Sequence, residues 1–186
     1  GAGFRRGRFP FRPSPGGGAA AAVTAAVGMS LVEMVARFNA KRLGDAAKSK
    51  PVFSRLQELR SKLLELASHD AEVFAKLSKF SQKERAGETY QKGVKEAAGG
   101  PFWVGELAVE GLVWGLAEKD RVSRWLASDL SEAALLLETS FLSARLNVEI
   151  NLQGMEDKQY ASDMKSWLDK LEKKAASHKN QLRIIL

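Results

Sequence analysis

The sequence predicts an all-α fold: a single helical bundle of five or six helices. Three observations carry that reading. From Gly17 onward, apolar residues return every three or four positions, the period of a helix with one buried face. No segment alternates with period two between hairpin turns, so strands find no support. Glycine and proline gather in clusters, Pro13 to Gly18 and Gly99-Gly100-Pro101, that punctuate the periodic stretches. Apolar residues make up 45% of 186, enough for a core that needs no disulfide or metal to hold it.

The first helix is expected over 18–38, opened by the glycines and ended before Gly44. Its apolar run, Ala19 to Val32, contains Thr24, Gly28 and Ser30 and closes on Glu33. That falls short of the about twenty apolar residues a membrane-spanning helix needs. A second helix, 51–80, starts with Pro51 at a favoured first position. Val52, Leu56, Leu59, Leu63, Leu66, Phe74 and Leu77 form its buried stripe. A weaker polar helix is expected over 84–98, with Gly99-Gly100-Pro101 as a stop and a new start. The helix over 101–118 is apolar on most sides, which suggests a central position or a subunit interface. Helices over 128–152 and 157–179 complete the bundle.

Charge divides the chain differently. Arg5, Arg6, Arg8 and Arg12 supply more than half of the net charge of +7. Residues 1–13 therefore read as a basic arm expected to be disordered, and 14–186 as the helical domain. Phe4, Phe9 and Phe11 interleave with those arginines and could combine base stacking with phosphate contacts. That leaves a non-catalytic binding module using its arm on nucleic acid as the alternative function. A secretory signal is not expected, because Pro13, Pro15 and three glycines separate the arginines from the apolar run. A cytoplasmic location without membrane attachment is expected.

The chain has no cysteine and two histidines, His69 and His178. This excludes thiol catalysis, thiolate metal sites and histidine-rich metal centres, and no metal is expected. Both histidines are expected to be exposed. Carboxylates are left to carry any acid–base chemistry. Asp70 occupies a place where the stripe of the second helix calls for an apolar residue, so it either pairs structurally or lines a polar cleft. Ser140, Ser143, Asn147 and Asn151 form an uncharged polar stripe on an apolar helix. Its amides either bridge helices or recognise a heterocycle. Asp129 reads first as a helix cap. Gly16, Gly17 and Gly18 bare backbone N–H groups at a helix start, an anion site or a close-packing device. Lys41 and Arg42 serve as dipole partners or an anion clamp. Glu33 with Arg37, and Glu106 with Glu110, read as surface pairs at i,i+4.

Four blocks together resemble the cyclodeaminase/cyclohydrolase family of folate enzymes. They are Pro15-Gly16-Gly17-Gly18 with its helix ending Met34-Val35-Ala36-Arg37; Leu66-Ala67-Ser68-His69-Asp70-Ala71-Glu72-Val73-Phe74; Lys95-Glu96-Ala97-Ala98 followed by Pro101; and Ser128-Asp129 with Leu146-Asn147-Val148-Glu149-Ile150-Asn151-Leu152. The resemblance implies a homodimer with folate bound near the subunit interface. It implies hydrolysis of 5,10-methenyltetrahydrofolate to 10-formyltetrahydrofolate, or conversion of 5-formiminotetrahydrofolate to the methenyl form and ammonia. It makes Asp70 and Asp129 the catalytic candidates. Asn147 and Asn151 become pterin or scaffold contacts; Gly16, Gly17, Gly18 and Lys41 become candidates for holding the pterin or the glutamate tail. The chain departs from the family's pattern at Ala19, where serine is common, in the arm that replaces an amphipathic helix, and at 120–127, where a short Gly-Asn-x-Asn turn is usual.

Overall fold

The computed structural model describes residues 16–183, so the arginine-rich arm and Pro13 to Pro15 lie outside the described residues. The all-α expectation holds. Five helices follow one another: α1 (Gly17–Leu43), α2 (Lys50–Leu77), α3 (Glu88–Glu118), α4 (Ala127–Gln153) and α5 (Lys158–Leu182). Short 3₁₀ turns at Gln82–Ala86 and Lys119–Arg121 flank α3, and no strand occurs among the described residues.

Helix α3 packs against each of the other four, and α1 lies among α2, α3 and α4. Small residues let α1 sit that deep: Ala22, Ala25 and Ala40 have no exposed surface, and neither does Met29. Gly44 ends α1 in the left-handed region, at φ 73°, and returns its N–H to the carbonyls of Ala40 and Lys41. The helix that forms is longer and more apolar than its opening run suggests. At 27 residues it meets the length and hydropathy of a spanning segment, yet most of its apolar window is buried against its neighbours. Burial by protein is the ordinary reason for such a helix in a bundle.

The sharpest departure is α3. The expected stop at Gly99-Gly100-Pro101 does not occur, and the helix runs through it unbroken. Proline at 101 has no N–H, so the Ala97 carbonyl loses its donor within the helix. Asn151, from α4, donates its Nδ2 to that carbonyl at 2.8 Å. A long-range amide thus replaces the missing rung. Nor is the 101–118 half buried on every side: Trp103 and Val113 remain exposed while Val104, Ala108 and Leu112 face inward.

Three smaller expectations also change. Glu33 is more than a surface partner of Arg37: it is buried and bonds Arg37 and Arg60, both at 2.7 Å, tying α1 to α2. Glu110 takes Arg55 of α2 on both oxygens, at 3.0 and 3.1 Å, and so joins a cross-helix pair rather than standing with Glu106 on the surface. His178 is not exposed at its nitrogens: both are buried without a hydrogen-bond partner. Burial, and then nearby Lys174, holds its pKa below the usual histidine value. His69 stays half-exposed, as expected for its face, and its Nε2 lies 3.1 Å from Glu96 of α3.

Candidate active site

The site begins with an unusual helix start. Gly16, the residue before α1, is extended and has no side chain with which to cap the helix. The first amides of a helix lack partners within it and carry its positive end. Asp70 of α2 fills the role from another helix: its Oδ2 accepts the Ala19 N–H at 3.1 Å. The two candidate readings of Asp70, structural pairing and a cleft carboxylate, therefore both apply. One oxygen holds α1, and among the described residues no hydrogen bond is made to Oδ1.

The glycines are present because the carboxylate and an amide come so close. A Cβ on Gly18 would lie 2.2 Å from Asp70 Oδ1, and one on Gly17 would lie 2.7 Å from Asn147 Oδ1. No anion is needed to explain them: close approach of side chains from α2 and α4 is enough. Gly18→Ala is expected to push Asp70 off the α1 amide. We expect a loss of about 1–3 kcal/mol of stability, read from urea unfolding.

These residues border a cavity of about 420 Å³ lined by Gly16, Gly17, Asp70, Phe74, Asn147 and Asn151, with Ile150 at its wall. Its size suits a small heterocyclic ligand. Asn147 donates Nδ2 to the Ser143 carbonyl of its own helix at 2.8 Å, so its Oδ1 is the atom left for the cavity. Asn151 is engaged with Ala97 and has both a structural and a lining role. Ser140 belongs to packing alone: fully buried, it donates to the Ala21 carbonyl at 2.8 Å. The polar stripe thus divides along its length, from an inter-helix bond at Ser140 to cavity amides at 147 and 151.

Phe74 was placed on the buried stripe by spacing, but it is 54% exposed. Val73 takes the inward position instead, and Phe74 with Ile150 gives the cavity apolar surface on which a flat ring can rest. The available signal was weak. An aromatic one turn after an aspartate on the same helix face is all that distinguishes it.

Asp129 and Lys41 are not in this cavity. Asp129 lies in the first turn of α4, separated from Asn147 by about 27 Å of helix. Lys41 lies in the last turn of α1, about 36 Å along that helix from Gly17. The two helices are antiparallel, with Gly17 against Asn147 and Gly28 against Ala133 and Leu137. Both residues therefore sit at the far end of the bundle. Asp129 is not the cap: Leu126 occupies that position, and no hydrogen bond or ion pair engages the Asp129 carboxylate among the described residues. The segment after α3 is built into this end. Arg121 bonds Glu118 at 3.1 Å and Asp45 at 2.6 Å, and buried Asn39 bonds Glu118 at 2.8 Å.

Between the two ends runs an apolar face. Val23 and Val27 of α1 and Leu135, Leu142, Leu146 and Ile150 of α4 are each between 41% and 66% exposed. Because α1 and α4 pack side by side on α3, their solvent faces point the same way. Ile150 belongs both to this face and to the cavity wall.

Residues 11–170 match the family model described as formiminotransferase-cyclodeaminase. The chain is 30% identical over 173 residues to a methenyltetrahydrofolate cyclohydrolase of Methylorubrum extorquens, covering 86% of this chain and 82% of that protein. It is 30% identical over 188 residues to the formimidoyltransferase-cyclodeaminase of Rattus norvegicus, covering 93% of this chain and 34% of that one. The crystal structure of formiminotetrahydrofolate cyclodeaminase from Thermotoga maritima superposes with a TM-score of 0.83 at 30% identity, covering 93% of this chain and 88% of the other.

Proposed function

The chain belongs to the formiminotransferase-cyclodeaminase family, and on that footing we propose that it is a folate one-carbon enzyme acting at the carbon attached to N5 of tetrahydrofolate. The activity is methenyltetrahydrofolate cyclohydrolase or formimidoyltetrahydrofolate cyclodeaminase, the two named among its relatives. The observation that carries the reading is Asp70: a carboxylate anchored through one oxygen and facing a cavity with amides and an aromatic ring.

Both reactions need the same service from that carboxylate. In hydrolysis, water adds to the cationic N5–C–N10 carbon and loses a proton; the C–N5 bond then breaks as N5 gains one, and the carbon-bound hydroxyl releases its own proton to solvent, leaving the formyl group on N10. In cyclodeamination, N10 adds to the formimino carbon and loses its proton, and the C–N bond to the leaving nitrogen breaks as that nitrogen gains one and departs as ammonia. A fixed carboxylate accepts the first proton and delivers the second, and while ionised it offsets the positive charge of the trigonal carbon before the addition and after the elimination. Asn147 Oδ1 offers an acceptor for pterin N–H groups, and Phe74 a stacking surface.

The reading includes a second copy of the chain. A charge-free apolar face of this extent on a small bundle is a surface that protein ordinarily covers. A two-fold axis running across the helices turns α1 and α4 end for end, and so brings the partner's far end to this cavity. That arrangement gives Asp129 and Lys41 a place at the substrate. The nucleic-acid alternative rests on the arm alone, outside the described residues, and no relative's name supports it.

The test is spectroscopic. Protein is expected to accelerate either the loss of methenyltetrahydrofolate absorbance, establishing hydrolysis, or its appearance from 5-formiminotetrahydrofolate, establishing cyclodeamination. Acceleration of neither would refute the proposal.

A further inference from the structure

The turn that enters α4 presents an indole to solvent. Trp125 is 77% exposed, the most exposed large apolar side chain among the described residues. It does not stand on a loose loop. The Leu126 N–H donates to the Ser123 carbonyl at 3.0 Å, and the Val122 N–H to the Lys119 carbonyl at 3.4 Å. Arg121 pins the segment to Asp45, between α1 and α2, at 2.6 Å and to Glu118 of α3 at 3.1 Å. Ala127 and Leu130, just beyond, are buried. The Arg124 guanidinium lies over one face of the indole, 4.6 Å from the ring centre. A large flat surface is therefore held in place with its other face open, and leaving it in water forgoes the gain that covering it brings.

What covers it follows from the subunit pairing and the folate reading proposed above, on which this inference rests. Helix α4 carries cavity residues at one end and Asp129 at the other. With a two-fold axis across that helix, a step towards the C-terminus on one copy faces an equal step towards the N-terminus on its partner. The register that sets the partner's Asp129 opposite Asn147 therefore sets the partner's Trp125 opposite Asn151. That is beside Ile150, on the α4 wall of the cavity, and Phe74 stands on the α2 wall. We propose that Trp125 is a substrate-binding residue that acts across the dimer. The pterin is held between two aromatic rings, Phe74 of one subunit and the partner's Trp125. Such stacking favours substrate and transition state alike, so Trp125 sets affinity and leaves the proton transfers to the carboxylates.

Calorimetric titration of the whole chain with 5-formyltetrahydrofolate tests this without requiring turnover. Trp125→Ala is expected to weaken binding about tenfold to a hundredfold, and Trp125→Phe to keep most of the affinity. The side chain buries little in its own subunit, so the urea midpoint and sedimentation of Trp125→Ala are expected to stay unchanged. In turnover the loss is expected in KM rather than in kcat. Refolding Trp125→Ala together with Asp70→Asn reads which subunit supplies the indole. About a quarter of the sites then hold both native residues, and an active fraction with the unmodified KM is expected to appear. Equal affinity of Trp125→Ala and the unmodified protein, or subunits that separate in Trp125→Ala, overturns the stacking role and leaves the folate reading intact. A mixture showing only the raised KM overturns the assignment to the partner's site. No binding by the unmodified protein overturns the folate reading and this proposal together.

Discussion

Asp70→Asn is expected to lower turnover about a thousandfold and to leave the fold nearly unchanged. The separation follows from the two jobs of the carboxylate. Its Oδ2 holds the Ala19 amide at the start of α1, and an asparagine oxygen accepts that hydrogen bond equally well. The helix keeps its anchor and the neighbouring glycines keep their fit. What asparagine lacks is the negative charge and the capacity to carry a proton. General acid–base catalysis contributes about a hundredfold to ten-thousandfold, and charge stabilisation at a cationic carbon adds to it. The measurement is kcat on the active substrate alongside a urea unfolding midpoint. An unchanged kcat would remove Asp70 from the mechanism; a collapsed midpoint would show that its charge serves the α1 terminus rather than the chemistry.

How far such residues could be read from the sequence depends on the range of the interaction involved. The helices were legible because their signal is local: apolar spacing and glycine at 44 act within a turn or two. Pro101 was misread for the complementary reason. Its local chemistry says stop, and the group that lets the helix continue, Asn151, comes from another helix. Asp70 was legible as an anomaly in a periodic stripe, but not its partner, because Ala19 contributes only a backbone amide. Phe74 was placed inside by periodicity, whereas the face changes at the cavity and Val73 turns inward. The resemblance grouped Asp70, Asp129 and Lys41 as one site, and motif order carries no information on which subunit supplies each. Antiparallel α1 and α4 put them at opposite ends of one chain.

That separation yields the second large effect. Within one subunit, about 27 Å of helix divides Asp129 from Asn147, so Asp70 and Asp129 cannot both reach one reacting carbon. If the partner supplies Asp129 across the apolar face, Asp70→Asn and Asp129→Asn are each inactive as homodimers, since every site lacks one carboxylate. Mixed by unfolding and refolding together, the two variants assort at random. Half of the dimers are then mixed, and in each of these one site collects both substitutions while the other is intact. Activity is expected to return to about a quarter of the unmodified rate. The recovered kcat per intact site and its KM should match the unmodified enzyme, which distinguishes complementation from partial rescue. A mixture that stays inactive would place both residues in one subunit's site or show that the chain does not pair this way. An Asp129→Asn homodimer with full activity would reduce Asp129 to a favourable charge at the start of α4, where the helix dipole alone accounts for it. Leu146→Glu supplies the independent check. A charge at the centre of the apolar face is expected to separate the subunits in sedimentation and to abolish turnover, although Leu146 is 66% exposed within its own chain.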